Sequence, residues 1–242
     1  MSRLVLENLV KTYGGKTVVD QVSLNVDQGR VTGLLGPNGA GKTTTFYMTV
    51  GMIRPEKGTV HLDGEDITRY PMYVRARKGI GYLPQETSIF KKLTVRENIT
   101  AILEVIEKKD TDIDIHQKAE SLMEELGILT LAGQKAVSLS GGERRRLEIS
   151  RVLATDPLFI LLDEPFAGID PLAVIDIQQI ISQLTDKGIG ILISDHNVRE
   201  TLGVCDTAYI MSQGVVMESG PPEKIISSKV AKRIYLGDNF RL

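Results

Sequence analysis

The chain is 242 residues long, 42% hydrophobic and 25% charged, with a formal net charge of −2. That composition suits a soluble globular protein of one large domain, or a domain carrying an insertion, and gives no overall attraction to nucleic acid or anionic lipid. Its one cysteine, Cys205, excludes an internal disulfide, and no apolar run approaches the roughly 20 residues needed to cross a bilayer.

The first residues, Met1 to Val5, carry a charge with no apolar stretch behind it, so no signal peptide is expected. Residues 4–9 and 22–26 alternate apolar and polar side chains, which predicts half-buried strands. Val31-Thr32-Gly33-Leu34-Leu35 predicts a short apolar strand running into a glycine-rich turn, with a helix from about residue 41 to near 51. Between about 86 and 154 the pattern changes to helical spacing, over 94–108 and 116–126, with few strand signals. Strands return at 158–162 and 190–194, apolar enough for burial on both faces as in a parallel sheet, with helical spacing over 174–184 between them. Residues 207–211 and 215–218 flank Ser212-Gln213-Gly214 as a hairpin, and 223–235 predicts a helix entered through Pro221-Pro222. Strands alternating with helices predict an α/β fold with a helical insertion.

Gly36-Pro37-Asn38-Gly39-Ala40-Gly41-Lys42-Thr43 satisfies the P-loop pattern in its required context, after a strand and before a helix. The glycines let backbone N–H groups converge on phosphate oxygens, and the helix N-terminus adds a favourable dipole. Lys42 is placed to reach the β/γ-phosphates and the Thr43 hydroxyl to ligate Mg²⁺. Phe159-Ile160-Leu161-Leu162-Asp163-Glu164 is a buried strand ending in two carboxylates. Asp163 then holds Mg²⁺ through water, and Glu164 is free to polarise an attacking water. An acidic strand end is common by itself; its pairing with a P-loop gives it meaning.

Leu139-Ser140-Gly141-Gly142-Glu143, opening a helix, is a second glycine-rich anion site. It resembles the signature of the ABC ATPase family, in which the last position is usually Gln. The resemblance covers nearly the whole chain and implies two ATP molecules sandwiched between two protomers, with Ser140, Gly141 and Gly142 reaching the nucleotide of the opposite subunit. It further implies that Tyr13 stacks on adenine and that Thr44 joins Gly36 to Thr43 in binding phosphate. Gln85 would approach Mg²⁺ and the lytic water, Ala167-Gly168-Ile169-Asp170 would cross the dimer interface, and His196 would contact the γ-phosphate. Taken alone, Tyr13 or His196 would more often be a packing residue. The implied architecture is one nucleotide-binding domain over 1–242. It has a P-loop core of mainly parallel sheet, an antiparallel β portion, a helical subdomain at about 86–154, and a C-terminal helix and tail at about 223–242.

Five segments resemble one branch of that family, the ATPases of Gram-negative lipopolysaccharide export. They are Thr44-Thr45-Phe46-Tyr47-Met48, Gly81-Tyr82-Leu83-Pro84-Gln85-Glu86-Thr87-Ser88-Ile89-Phe90, Asp163-Glu164-Pro165-Phe166-Ala167-Gly168-Ile169-Asp170-Pro171, Ser194-Asp195-His196-Asn197-Val198-Arg199-Glu200-Thr201-Leu202, and the terminal Tyr235-Leu236-Gly237-Asp238-Asn239-Phe240-Arg241-Leu242. That branch implies a homodimer on the cytoplasmic face of the inner membrane, with membrane subunits LptF and LptG and with LptC. The partners, not this chain, would bind the transported lipid. Phe90, beside Lys91 and Lys92, is expected to anchor a helix of the membrane subunit, the alternative being that it packs inside the helical subdomain. A branched-chain amino acid importer ATPase shares the layout, and a soluble ABC protein without a membrane partner is a third reading. The absence of a basic stripe speaks against nucleic acid. Arg144-Arg145-Arg146 is expected to be solvated or paired near the membrane partner.

Overall fold

The alternating amino-terminal strands and the mostly apolar, buried strands form different sheets in the computed structural model, which describes residues 2–106, 114–237 and 240. The alternating amino-terminal segment makes the hairpin β1 (Arg3–Tyr13) and β2 (Lys16–Asp27). The wholly buried β3 (Val31–Leu35) leads through the glycine-rich loop into α1 (Lys42–Val50). Then come β4 (Lys57–Leu62), the short β5 (Glu65–Asp66), α2 (Met72–Arg77) and β6 (Ile80–Leu83). Three helices follow: α3 (Val95–Ile106), α4 (Ile115–Glu125) and α5 (Gly141–Leu153). β7 (Phe159–Asp163), α6 (Pro171–Asp186), β8 (Gly190–Ser194) and α7 (Val198–Leu202) return the chain to the sheet. β9 (Thr207–Ser212), β10 (Val215–Gly220), α8 (Pro222–Ser227) and α9 (Lys229–Ala231) follow, and a π-helical turn over Lys232–Leu236 continues from α9.

The first sheet is antiparallel, in the order β2-β1-β4-β5. The second runs β10-β9-β3-β8-β7-β6, parallel from β9 to β6 with β10 antiparallel at its edge. Phe46 and Met48 of α1 pack with Leu6 and Leu24 of the first sheet and Leu161 and Leu192 of the second, so α1 lies between the two sheets. The opposite face of the parallel sheet presents Ile160, Leu162, Ile191 and Ile193 to a core shared with Ile99, Leu147, Ile177 and Ile181 of α3, α5 and α6. At about 1.5–3 kcal/mol for each fully buried aliphatic side chain, this two-sided burial explains why β3, β7 and β8 are mostly apolar and buried along their whole length. Their carboxyl ends all open onto one edge, where the functional loops lie.

The structure departs from the sequence expectations in four places. β4, β5 and β6 are strands beyond those expected from the sequence, and each is defined by its pairing: β4 with β1, β5 with β4, and β6 with β7. α6 begins earlier than its apolar spacing, since Asp170 caps it by accepting the Ala173 N–H at 3.0 Å and Pro171 takes the first turn. The helix expected over 223–235 is broken at Ser228, whose backbone is extended and whose hydroxyl accepts the Ala231 N–H while donating to Glu218. The arginine run is tied down within the chain: Arg144 donates to the Leu139 carbonyl, Arg145 to Glu148 and Arg146 to Asp176. Residues 107–108 of the expected helix, and 238, 239, 241 and 242 of the tail, lie outside the described residues.

Candidate functional site

β3 ends against the loop 36–41, whose shape depends on glycine. Gly36 (φ 151°) has no room for a Cβ against the Met211 carbonyl, and a Cβ on Gly41 (φ 103°) would stand 2.5 Å from the Val18 carbonyl. Gly41 precedes α1 and no side chain caps that helix, so its first N–H groups remain available to an anion. Lys42 is buried, and its ammonium donates to the Gly36 carbonyl at 2.7 Å and the Pro37 carbonyl at 3.2 Å. Burial pulls its pKa below the usual lysine value, partly opposed by Glu164, Asp163 and Asp195. Thr43 is exposed beside it and Thr44 half-buried. A cleft of about 540 Å³ runs from Pro37, Asn38, Gly39 and Ala40 to Lys16, Thr17 and the turn at Gln213. Tyr13, half-exposed at the end of β1, has the Lys11 ammonium 5.4 Å from its ring centroid.

Asp163 closes β7 and is 3% exposed, with the Tyr82 hydroxyl donating to it at 3.4 Å. Burial, reinforced by the neighbouring Glu164 charge, pushes its pKa up to about 6. Glu164 takes a left-handed backbone conformation (φ 47°), held by its N–H donating to the Ser194 carbonyl at 2.6 Å. That turn swings its carboxylate away from the strand direction. One oxygen of it accepts the Gln85 amide at 2.8 Å and lies 3.4 Å from His196 Nδ1. Gln85, Glu164 and Gly141 line one cavity of about 130 Å³ with Ala167, Gly168 and Ile169. The structure thus brings together Gln85, Glu164 and His196 from the ends of three parallel strands, beside Asp163 and Lys42. A carboxylate positioned by an amide and an imidazole, next to a phosphate-binding loop, is equipped to take a proton from water.

Ser140 and Gly142 face elsewhere, into a cleft with Glu143, Arg146, Asp170 and Asp176. Ser140 caps α5 by accepting the Glu143 N–H at 3.3 Å, and the Glu143 carboxylate accepts the Ser140 N–H at 2.8 Å, a reciprocal capping box. That backbone bond holds the Glu143 pKa below the usual carboxylate range. Phe90 is 44% exposed, its ring 4.5 Å from the Arg151 guanidinium, so it stands outside the core. Its backbone is fixed by the buried Asn98, which accepts the Phe90 N–H at 2.8 Å and donates to its carbonyl at 3.1 Å.

Three residues at this edge lie in the segments that carry the resemblance but are given no role by the sequence. Asp195 is fully buried and accepts the N–H of Phe166 at 3.0 Å and of Asn197 at 2.8 Å, joining the loop after β7 to the loop after β8. Tyr82 anchors Asp163 through its hydroxyl. Tyr235 donates its hydroxyl to the His196 carbonyl at 3.2 Å, and burial pushes its pKa up to about 12.

The family model described as "ABC transporter" matches residues 19–167. Over the full length of both chains, the sequence is 54% identical to the lipopolysaccharide export system ATP-binding protein LptB of Haemophilus influenzae and 53% identical to that of Escherichia coli K12. Among solved structures, the ADP conformation of an ATP-binding cassette of an ABC transporter superposes with a TM-score of 0.88 at 32% identity, covering 98% of this chain and 100% of that one.

Proposed function

This chain belongs to the ABC transporter ATP-binding family, and from that premise we propose that it is the ATP-hydrolysing subunit of a lipopolysaccharide export transporter. The observation that carries the enzymatic reading is the meeting of Gln85 and His196 at one oxygen of Glu164, beside Lys42 of the P-loop. The transport reading is supported by full-length likeness to proteins named for lipopolysaccharide export.

In this mechanism the loop from Gly36 to Thr44 cradles the phosphates through its backbone N–H groups, Pro37 having none, and Lys42 leaves its loop carbonyls to place a point charge on the β/γ-phosphates. Tyr13 offers its open ring face to adenine. The Thr43 hydroxyl, the Asp163 carboxylate and the Gln85 amide oxygen are hard oxygen donors of the kind Mg²⁺ takes, and they would hold it partly through water. Bound there, Mg²⁺ supplies neutralisation of phosphate charge. Glu164 accepts the proton of the attacking water, while Gln85 and His196 fix the direction of its carboxylate and His196 reaches towards the γ-phosphate. Ser140, Gly141 and Gly142 complete the site of a second copy, in a homodimer. Support for that interface comes from the apolar side chains beside the loop 167–170, Leu172 at 76% and Ile175 at 50% exposed, an apolar patch that a partner would cover.

Among the described residues no helix is long and apolar enough to cross a membrane. Membrane attachment therefore falls to partners in this proposal, LptF and LptG with LptC, which would also bind the lipid and hold this chain at the cytoplasmic face. Phe90 anchors a helix of the membrane subunit, with Lys91 and Lys92 as the polar rim. The chain works as one nucleotide-binding domain over 1–242, with its helical subdomain at about 86–154. Affinity purification from inner membranes tests the assignment. Two membrane subunits of lipopolysaccharide export should copurify, and ATP turnover of the complex should require Glu164. Recovery of amino acid importer subunits instead would remove the lipid assignment and leave the ATPase.

A further inference from the structure

We propose that Glu148, with Arg145, is a positioning pair that links the two nucleotide sites of the dimer by tying the Gln85 loop to the signature helix. The proposal rests on the sandwich reading above, in which Gln85 serves the subunit's own nucleotide and Ser140–Gly142 serve the partner's.

α5 carries the signature at its first turn, and Arg145 and Glu148, three residues apart, share the face turned to the chain after β6. Arg145 donates through Nη1 to the carbonyl of Pro84 at 3.2 Å, immediately before Gln85. Glu148 accepts the N–H of Ser88 at 3.0 Å, just after Gln85. The two side chains close on each other at 3.1 Å and are 8% and 4% exposed. Farther along the same helix, Arg151 donates to the Ser88 carbonyl at 2.5 Å. The backbone on both sides of Gln85 is therefore fastened to the helix that begins with the signature. Gln85 in turn holds Glu164 at 2.8 Å.

The pair does more than fill space. Nε and Nη2 of Arg145 find no partner among the described residues, so Glu148 is the one carboxylate in ion-pair contact with a buried guanidinium. Sliding the loop along the helix would strip a buried ion pair of its partners, a motion strongly opposed at low dielectric. The loop and the helix therefore move as one body. In the sandwich, a displacement of Gln85 by one nucleotide re-aims the signature at the other nucleotide. The pair carries cooperativity between the sites from the wall of the cavity that Gln85, Glu164 and Gly141 also line.

The test uses the assembled transporter in proteoliposomes, with turnover measured against ATP concentration. The wild type should give a Hill coefficient of roughly 1.5 or more, two sites setting the ceiling. Glu148→Ala should bring it to about 1. Glu148→Gln, which keeps an acceptor for the Ser88 N–H but not the charge, should fall between. Because removal of Glu148 leaves Arg145 buried and unpaired, a variant that fails to fold is replaced by the double Arg145→Met/Glu148→Met, which keeps the bulk and removes both charges. A wild-type Hill coefficient in a well-folded Glu148→Ala or double variant would overturn the proposal. So would a non-cooperative wild type, since there would be no coupling to carry. Loss of turnover in the wild type would instead strike at the ATPase reading, so the two failures are distinguishable.

Discussion

Truncating Phe90 separates a docking residue from a core residue, and the structure sets the expected size of each effect. The ring is 44% exposed, so Phe90→Ala removes about half of the burial of a phenylalanine, on the order of 1–1.5 kcal/mol. Its contact with Arg151, 4.5 Å from the centroid, adds about 0.5–1 kcal/mol at a partly solvated site. The bonds between Asn98 and the Phe90 backbone survive the substitution, because they use only its main chain. The total is about 2 kcal/mol, or a fall in melting temperature of about 4–8 °C for a chain of this size. Thermal melting and ATPase assays on the isolated subunit, beside a pull-down of the membrane subunits, measure all three consequences. A modest melting shift, a basal rate within about threefold and weakened association are expected. A core phenylalanine would cost about 3–5 kcal/mol. A loss of that size with association intact would refute the docking role.

Lys42→Ala should abolish most nucleotide affinity, read by titration with a fluorescent ATP analogue, because the uncapped N-terminus of α1 alone supplies only partial charge. Ser140→Ala should cost about 1 kcal/mol of stability through the lost cap and, separately, prevent ATP-driven dimerisation, measured by light scattering. Asp163 gives a pH dependence of definite sign. Its folded pKa of about 6 lies above the ordinary value of 3.8, so the folded state takes up a proton first as pH falls. The strain of an ionised buried carboxylate is thus fully present above about pH 6 and is relieved as pH falls through 6 towards 4. Nucleotide-free wild type should gain melting temperature relative to Asp163→Asn between pH 7.5 and 5.5, and parallel curves would contradict that account.

The readable part of this protein was the part written locally. The P-loop, the Asp163-Glu164 strand end and the signature each lie within a few consecutive residues, flanked by strands or helices whose periodicity places them. Glu164's left-handed turn, by contrast, depends on a bond to Ser194, and Asp195 acquires its role only when Phe166 is brought to it. Glu148 sits in an ordinary amphipathic helix, and its partner Ser88 lies 60 positions away in sequence. Tyr235 reaches His196 from a segment whose helical pattern conceals a break, because Ser228 prefers to cap the following turn. The antiparallel layer was legible only in β1 and β2, since β4 and β5 take their strand character from pairing with β1 and with each other.

The central claim is hydrolysis by Glu164 in a nucleotide sandwich between two copies of this chain, and Glu164→Gln tests it most directly. The amide keeps the shape of the side chain but is a poor base, so ATP should bind and the sandwich should persist unhydrolysed. Light scattering of the isolated variant with ATP and Mg²⁺, in parallel with phosphate release, reads both properties in one sample. The account predicts a stable dimer whose phosphate release is at least about a hundredfold slower than wild type, within the usual contribution of a general base. A variant that stays monomeric with ATP, or one that hydrolyses at the wild-type rate, would contradict it.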